Sequence, residues 1–164
     1  VQGLIQILSR LEAESVDYVV VGGFAAVIYG NPRVTVDIDI CVTLSQDNLQ
    51  RFADAINPLE PRTRRNGARI VLDSKPLGGE FSKIYTSAGE LDIMHRLTGV
   101  ESFQALRDRS VIFDLGAHPV RVAHIDDLIA MKEAAGRPHD LQDAANLRWL
   151  RDETARRAAQ SPDA

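Results

Sequence analysis

Apolar residues recur with helix or strand periodicity along most of the chain. In residues 3–14, GLIQILSRLEAE, Leu4, Ile7, Leu8 and Leu11 fall at i, i+3, i+4 and i+7, the stripe of an amphipathic helix. The run Tyr18 to Val21 then ends on Gly22-Gly23, which predicts a buried strand entering a sharp turn. FAAVIYG reads as a short apolar helix stopped by Gly30, Asn31 and Pro32. A β-branched strand is expected over about 34–43. A helix is expected over about 46–56, with Leu49, Phe52, Ala53 and Ile56 on one face. Residues 57–68, rich in Pro, Arg and Gly, predict a loop. Strands are expected at 68–73 (ARIVLD), 82–88 (SKIYTSA) and 89–95 (GELDIMH), then a short helix in GVESFQALRDR. SVIFDL and HPVRVA, separated by Gly116-Ala117, predict a hairpin. Two helices follow, 125–135 and 138–158, with Gly136 between them and Pro138 suited to a first helical position. The tail SPDA, 161–164, is expected to fray.

This order predicts an α/β or α+β domain, a mixed sheet flanked by helices with the C-terminal helical pair as an annex. One domain is expected over 1–160, its core at about 15–123 and its closing helices at about 125–158. The 164 residues suffice to bury a real core. No apolar run reaches the roughly 18–20 residues of a membrane span, and no signal-peptide layout opens the chain. The single cysteine, Cys41, excludes an internal disulfide and a cysteine-only zinc site. Cytoplasm and no membrane partner are therefore expected. A net charge of −4 argues against a protein that coats nucleic acid, while leaving room for a local basic patch.

One stretch breaks the pattern. RVTVDIDICV, residues 33–42, reads as a strand but carries Asp37 and Asp39, and Asp is depleted in strands. Side chains two apart face the same way, with roots about 6.6 Å apart, while 36, 38 and 40 would face the buried side. Two such carboxylates repel unless a cation lies between them, and magnesium with substrate phosphates is the economical one. A solvated strand face is the alternative for D-x-D alone. Asp92 in ELDIM repeats the anomaly. Three acids on neighbouring strands could hold two magnesium ions about 3.5–4 Å apart for in-line phosphoryl transfer. Gly22-Gly23 would let backbone N–H groups approach a phosphate, or is simply a tight turn. Arg33 and Thr35 continue the two-residue alternation, unless Arg33 only follows the Asn31-Pro32 turn into solvent. Lys132 completes a stripe with Ile125, Leu128 and Ile129, so it needs an anionic partner or snorkels from the last turn. Asp126, Asp127 and Asp140 fit helix N-terminal acids, and Asp143 has no assignment by pattern. Arg62, Arg64, Arg65 and Arg69 form either a solvated loop or a phosphate or RNA contact. The four histidines lack metal-ligand spacing, and Cys41 reads as structural.

The pattern VGGFAAVIYGNPRVTVDIDI, with Asp92 on a later strand, resembles the signature of the nucleotidyltransferase superfamily that includes DNA polymerase β. It is closest to the small bacterial minimal nucleotidyltransferases and the abortive-infection nucleotidyltransferases of toxin–antitoxin systems, where R-x-T-x-D-x-D recurs. HIDDLIAMKEAAGRPHDLQDAANL is similar to their helical end, and the likeness spans roughly 15–150. Gly23 stands where many catalytic relatives carry serine. The resemblance implies a mixed-sheet nucleotidyltransferase fold that binds an NTP and two Mg²⁺. Asp37, Asp39 and Asp92 would be catalytic metal ligands. Gly22, Gly23, Arg33, Thr35 and Lys132 would bind the nucleotide, Lys132 also as a catalytic residue, with Asp140 or Asp143 nearby. The implied reaction transfers a nucleoside monophosphate to a hydroxyl on a protein, a tRNA or a small molecule. A toxin–antitoxin partner protein or a tRNA acceptor is the implied partner. The alternative is a non-catalytic module of the same fold that acts by contact.

Overall fold

The computed structural model describes residues 2–77, 81–95, 97–116 and 118–160. The expected frayed tail and Ala117 of the expected hairpin turn lie outside them. The elements are α1 (Gln2–Ala13), β1 (Tyr18–Val21), α2 (Gly22–Ile28), β2 (Asp37–Val42), α3 (Gln46–Ile56), β3 (Arg62–Thr63), β4 (Phe81–Thr86), β5 (Gly89–Met94), α4 (Phe103–Arg109), β6 (Val111–Asp114), β7 (Pro119–Val122), α5 (Ile125–Ala135) and α6 (Pro138–Gln160). The strands form one mixed sheet in the order β3-β4-β5-β2-β1-β7-β6. Pairs β1–β7 and β2–β5 are parallel, and the other four pairs are antiparallel.

The periodic stripes become the core. Leu4, Ile7, Leu8 and Leu11 of α1 are buried, as are Leu49, Phe52, Ala53 and Ile56 of α3. Ser45 caps α3 by accepting the Asn48 N–H at 3.4 Å. Val19, Val20 and Val21 are fully buried because β1 is flanked by β2 and β7 inside the sheet. Among the described residues, no helix is long and apolar enough to cross a membrane.

Two expectations for the strands need correction. ARIVLD forms no strand beyond a single bridge between Arg69 and Arg62, whereas the expected loop contributes the short β3. The second strand begins at Asp37 rather than near 34, so Val36 does not face the core. Val34 and Val36 are 87% and 68% exposed. Pro32 removes a donor and the Asn31 carbonyl already accepts the Arg33 N–H, so this segment turns instead of pairing.

Candidate active site

The strand register assembles the site. Parallel pairing of β2 with β5 sets Asp39 opposite Asp92 and Asp37 opposite Glu90. Antiparallel pairing of β4 with β5 sets Lys83 opposite Asp92. Ile38 and Ile40 are fully buried, so Asp37 and Asp39, alternating with them, stand on the other face.

Each acid has its own support. Thr35 Oγ1 donates to Asp37 Oδ1 at 2.9 Å, although Thr35 precedes the strand. Asp39 Oδ2 accepts the Gly23 N–H at 3.1 Å, so that N–H serves a carboxylate of the protein itself. Gly22 sits at φ +64°, and a Cβ there would lie 2.0 Å from Asp39 Oδ2. Glycine at 22 is what lets the carboxylate approach the backbone. At Gly23 a Cβ would meet Thr35 Oγ1 at 3.3 Å and the Arg33 guanidinium carbon at 3.5 Å. The space a side chain would take at 23 is thus covered by Arg33 and Thr35.

Sequence reasoning missed Lys83. Its Nζ lies 3.4 Å from Asp37 Oδ2, 3.1 Å from Glu90 Oε2 and 3.4 Å from Asp92 Oδ2. Burial pulls its pKa down, but the hydrogen bond to Glu90 and the charges of Asp92 and Asp37 outweigh that, and the net shift is upward. Burial pushes Asp92 up to about 6, reinforced by Asp39 and Asp37 and opposed by Lys83. Burial also raises Asp39, with the Gly23 N–H opposing it. A signal was available: Ser87-Ala88 is a two-residue turn flanked by alternating strands, and that register puts 83 across from 92.

The opposite wall is the α5–α6 junction. Lys132 is buried and donates to Asp140 Oδ1 at 2.8 Å, with Asp143 Oδ2 at 3.0 Å. Asp140 also accepts from Arg137 Nε at 2.5 Å. Asp143 also accepts from Asn31 Nδ2 at 2.8 Å and from Arg33 at 2.5 Å. Burial opposes ionisation of both acids, but these hydrogen bonds and cations prevail and hold both below the usual carboxylate range. Asp140 therefore does more than complement a helix dipole, and Arg33 turns inward rather than into solvent. Sequence reasoning passed over Asn31 and Arg137. Asp127 pairs with Arg109 instead of lining the site. Burial raises the Cys41 thiol to about 12 and its Sγ lies against the Met94 carbonyl, so it takes no part.

Between the walls lies a cleft of ≈ 620 Å³, within the range of small-molecule sites. Gly22, Gly23, Asp37, Asp39, Lys83 and Asp92 line one side, Lys132, Arg137, His139 and Asp140 the other, and Arg33 and Arg64 also belong to the lining. Asp92 Oδ1 is buried without a hydrogen-bond partner, an acceptor that suits a cation. Among the described residues, no three of His, Cys, Asp or Glu close into a ready metal cage. Gly23 holds Asp39 and Lys83 holds Asp37 and Asp92. Magnesium suits such an open set, since it takes one or two carboxylates and fills its shell with water and phosphate oxygens.

No protein-family model matches the chain, and no curated protein matches it in sequence. Solved structures do. A candidate nucleotidyltransferase of Thermotoga maritima is 20% identical with a TM-score of 0.53, covering 91% of each chain. The antibiotic-resistance factor ANT(2'')-Ia is 14% identical with a TM-score of 0.57, over 96% of this chain and 92% of that one. An antigenic nucleotidyltransferase-like protein of Paracoccidioides brasiliensis is 16% identical with a TM-score of 0.53, over 99% and 88%. At these identities the likeness is one of architecture, and the chain has the fold of the nucleotidyltransferases.

Proposed function

We propose that the cleft binds a magnesium-complexed nucleoside triphosphate and transfers its nucleoside monophosphate to a hydroxyl, releasing pyrophosphate. The observation that carries this reading is the convergence of Asp37, Asp39 and Asp92 on one sheet face, with a buried Asp92 oxygen lacking a partner. Asp37, Asp39 and Asp92 would hold the metal, which when bound compensates the triphosphate charge and acidifies the attacking hydroxyl. Asp92 would also help take up that hydroxyl proton, from its place opposite Asp39 in the strand register. Arg33 and Lys132 donate to the triphosphate with protons that Asp143 and Asp140 do not take, and Arg137 and Arg64 add positive charge at the rim. Gly22 and Gly23 act by placing Asp39.

Acceptors to test are a protein, a tRNA end and a small molecule, and a toxin–antitoxin pair is the setting implied for the first two. ANT(2'')-Ia has been solved with adenylyl-2''-tobramycin, which recommends including aminoglycosides. The test is magnesium-dependent transfer of label from each of four α-labelled NTPs. Asp39→Ala should lower transfer at least 100-fold with the fold intact by circular dichroism. Full transfer by that variant overturns the assignment. One observation favours a contact-only module of the same fold: Lys83 already neutralises part of the acid cluster. Such a module would bind its partner equally well after Asp39→Ala and would not bind magnesium-ATP.

A further inference from the structure

The position of Lys83 carries a second inference, which rests on the transferase reading. Its ammonium reaches across β5 to β2, and the side chain as a whole is 17% exposed. It is equidistant, at 3.4 Å, from one oxygen each of Asp37 and Asp92, the acids assigned to the metal. One unit charge does not balance that cluster, and the other Asp92 oxygen stays buried and unpartnered. A divalent ion brought to roughly 2.0–2.1 Å from these carboxylates would share a few ångströms with a like-charged ammonium, so the two exclude each other. The third partner, Glu90 Oε2 at 3.1 Å, is the nearest of the three and lies outside the assigned metal ligands. It offers the lysine a place to withdraw to without losing every partner.

We propose that Lys83 is a built-in counter-ion that holds Asp37 and Asp92 in the absence of metal and is exchanged for the metal, retreating onto Glu90. Free metal must then displace a bound ammonium. Metal carrying a triphosphate also gains the contacts of the opposite wall, so the exchange favours the nucleotide complex over the bare ion.

The exchange is read as Mn²⁺ affinity, by electron paramagnetic resonance of the free ion, for the full chain with and without ATP. Without ATP, Lys83→Met should bind Mn²⁺ at least 10-fold tighter than wild type, and Lys83→Arg should stay within 3-fold of it. Arg137→Met, which removes a charge from the same cleft without touching the three strand acids, should shift affinity less than 3-fold. Equal affinity in Lys83→Met and wild type overturns the exchange, as does an equal gain in Arg137→Met. A variant-independent readout guards against a folding defect in Lys83→Met. Mn²⁺ should raise the acylation rate of Lys83 in wild type at least 3-fold, and an unchanged rate overturns the proposal. If wild type binds Mn²⁺-ATP through Asp39 but Lys83→Met shows no gain, the exchange fails and the transferase reading stands. If none of the proteins binds Mn²⁺ even with ATP, both fall.

Discussion

At Gly22 three constraints meet in one residue: a left-handed φ of +64°, the end of a buried strand and a carboxylate where a Cβ would be. Gly22→Ala must change the backbone angle or expel the Asp39 side chain. It should lose about 1–3 kcal/mol of stability in urea titration, the cost of holding a non-glycine residue in such a conformation. Magnesium-dependent transfer should fall with it, because Asp39 is displaced. An alanine variant as stable and active as wild type would show that the close approach is not needed. Gly23 differs. A Cβ there meets Thr35 and Arg33 only at 3.3–3.5 Å, so it crowds the side chains that cover this position rather than the backbone. The glycine pair was visible in the sequence, but its use was not. The pair reads as a phosphate cradle or a plain tight turn, whereas the anion beside Gly23 is an aspartate sixteen residues on, and only folding reveals that proximity.

Among the elements, the α5–α6 junction depends on ionic contacts for its packing. Lys132 lies on the inward stripe of α5, and its charge is satisfied by two acids one helical turn apart on α6. Gly136, at φ +67°, ends α5, and Pro138 starts α6, so the reversal brings 132 against 140 and 143. Removing one partner of a buried pair is costly, roughly 3–5 kcal/mol, and Asp140→Asn should fall at the lower end because Asp143 remains. The sign of the pH dependence follows from the lowered pKa of Asp140. Its contribution is complete above the unfolded value near 3.9 and disappears as pH falls through the folded value. Urea titrations of wild type and Asp140→Asn should therefore differ fully at pH 7 and pH 5 and converge once the pH has fallen below the folded value. A gap that persists there would mean that packing, not charge, makes the difference. The stripe and the helix boundaries were legible, and they placed a lysine where it needed a partner. The partners were not assigned, because Asp140 also fits a first-turn acid and periodicity does not say which acid faces a neighbouring helix.

Across the molecule, buried surface and the site coincide up to about Leu150, and the end of α6 lies outside both. Ala144 and Leu147 are buried, whereas nearly every residue from Arg151 to Gln160 is exposed, with Glu153 pairing locally to Arg156 and Arg157. Ending the chain at Arg151 should change stability by no more than about 0.5 kcal/mol and leave transfer intact. Ending it at Arg137 removes Asp140, Asp143 and Leu147 together and should abolish cooperative unfolding in the same titration.

Sequence alone determined the helices, most strands and the acids that break strand composition, because these depend on local periodicity and on residues that disagree with their neighbours. It misjudged 33–36, which turns before the sheet begins, and 68–73, which meets the short β3 only through the Arg69–Arg62 bridge. Only the tertiary structure decided the strand order, and with it that Asp39 stands opposite Asp92 and that Lys83 reaches all the way to Asp37. Pairing between distant strands is settled by which faces bury together, so the cation among the acids became visible only once the sheet was assembled.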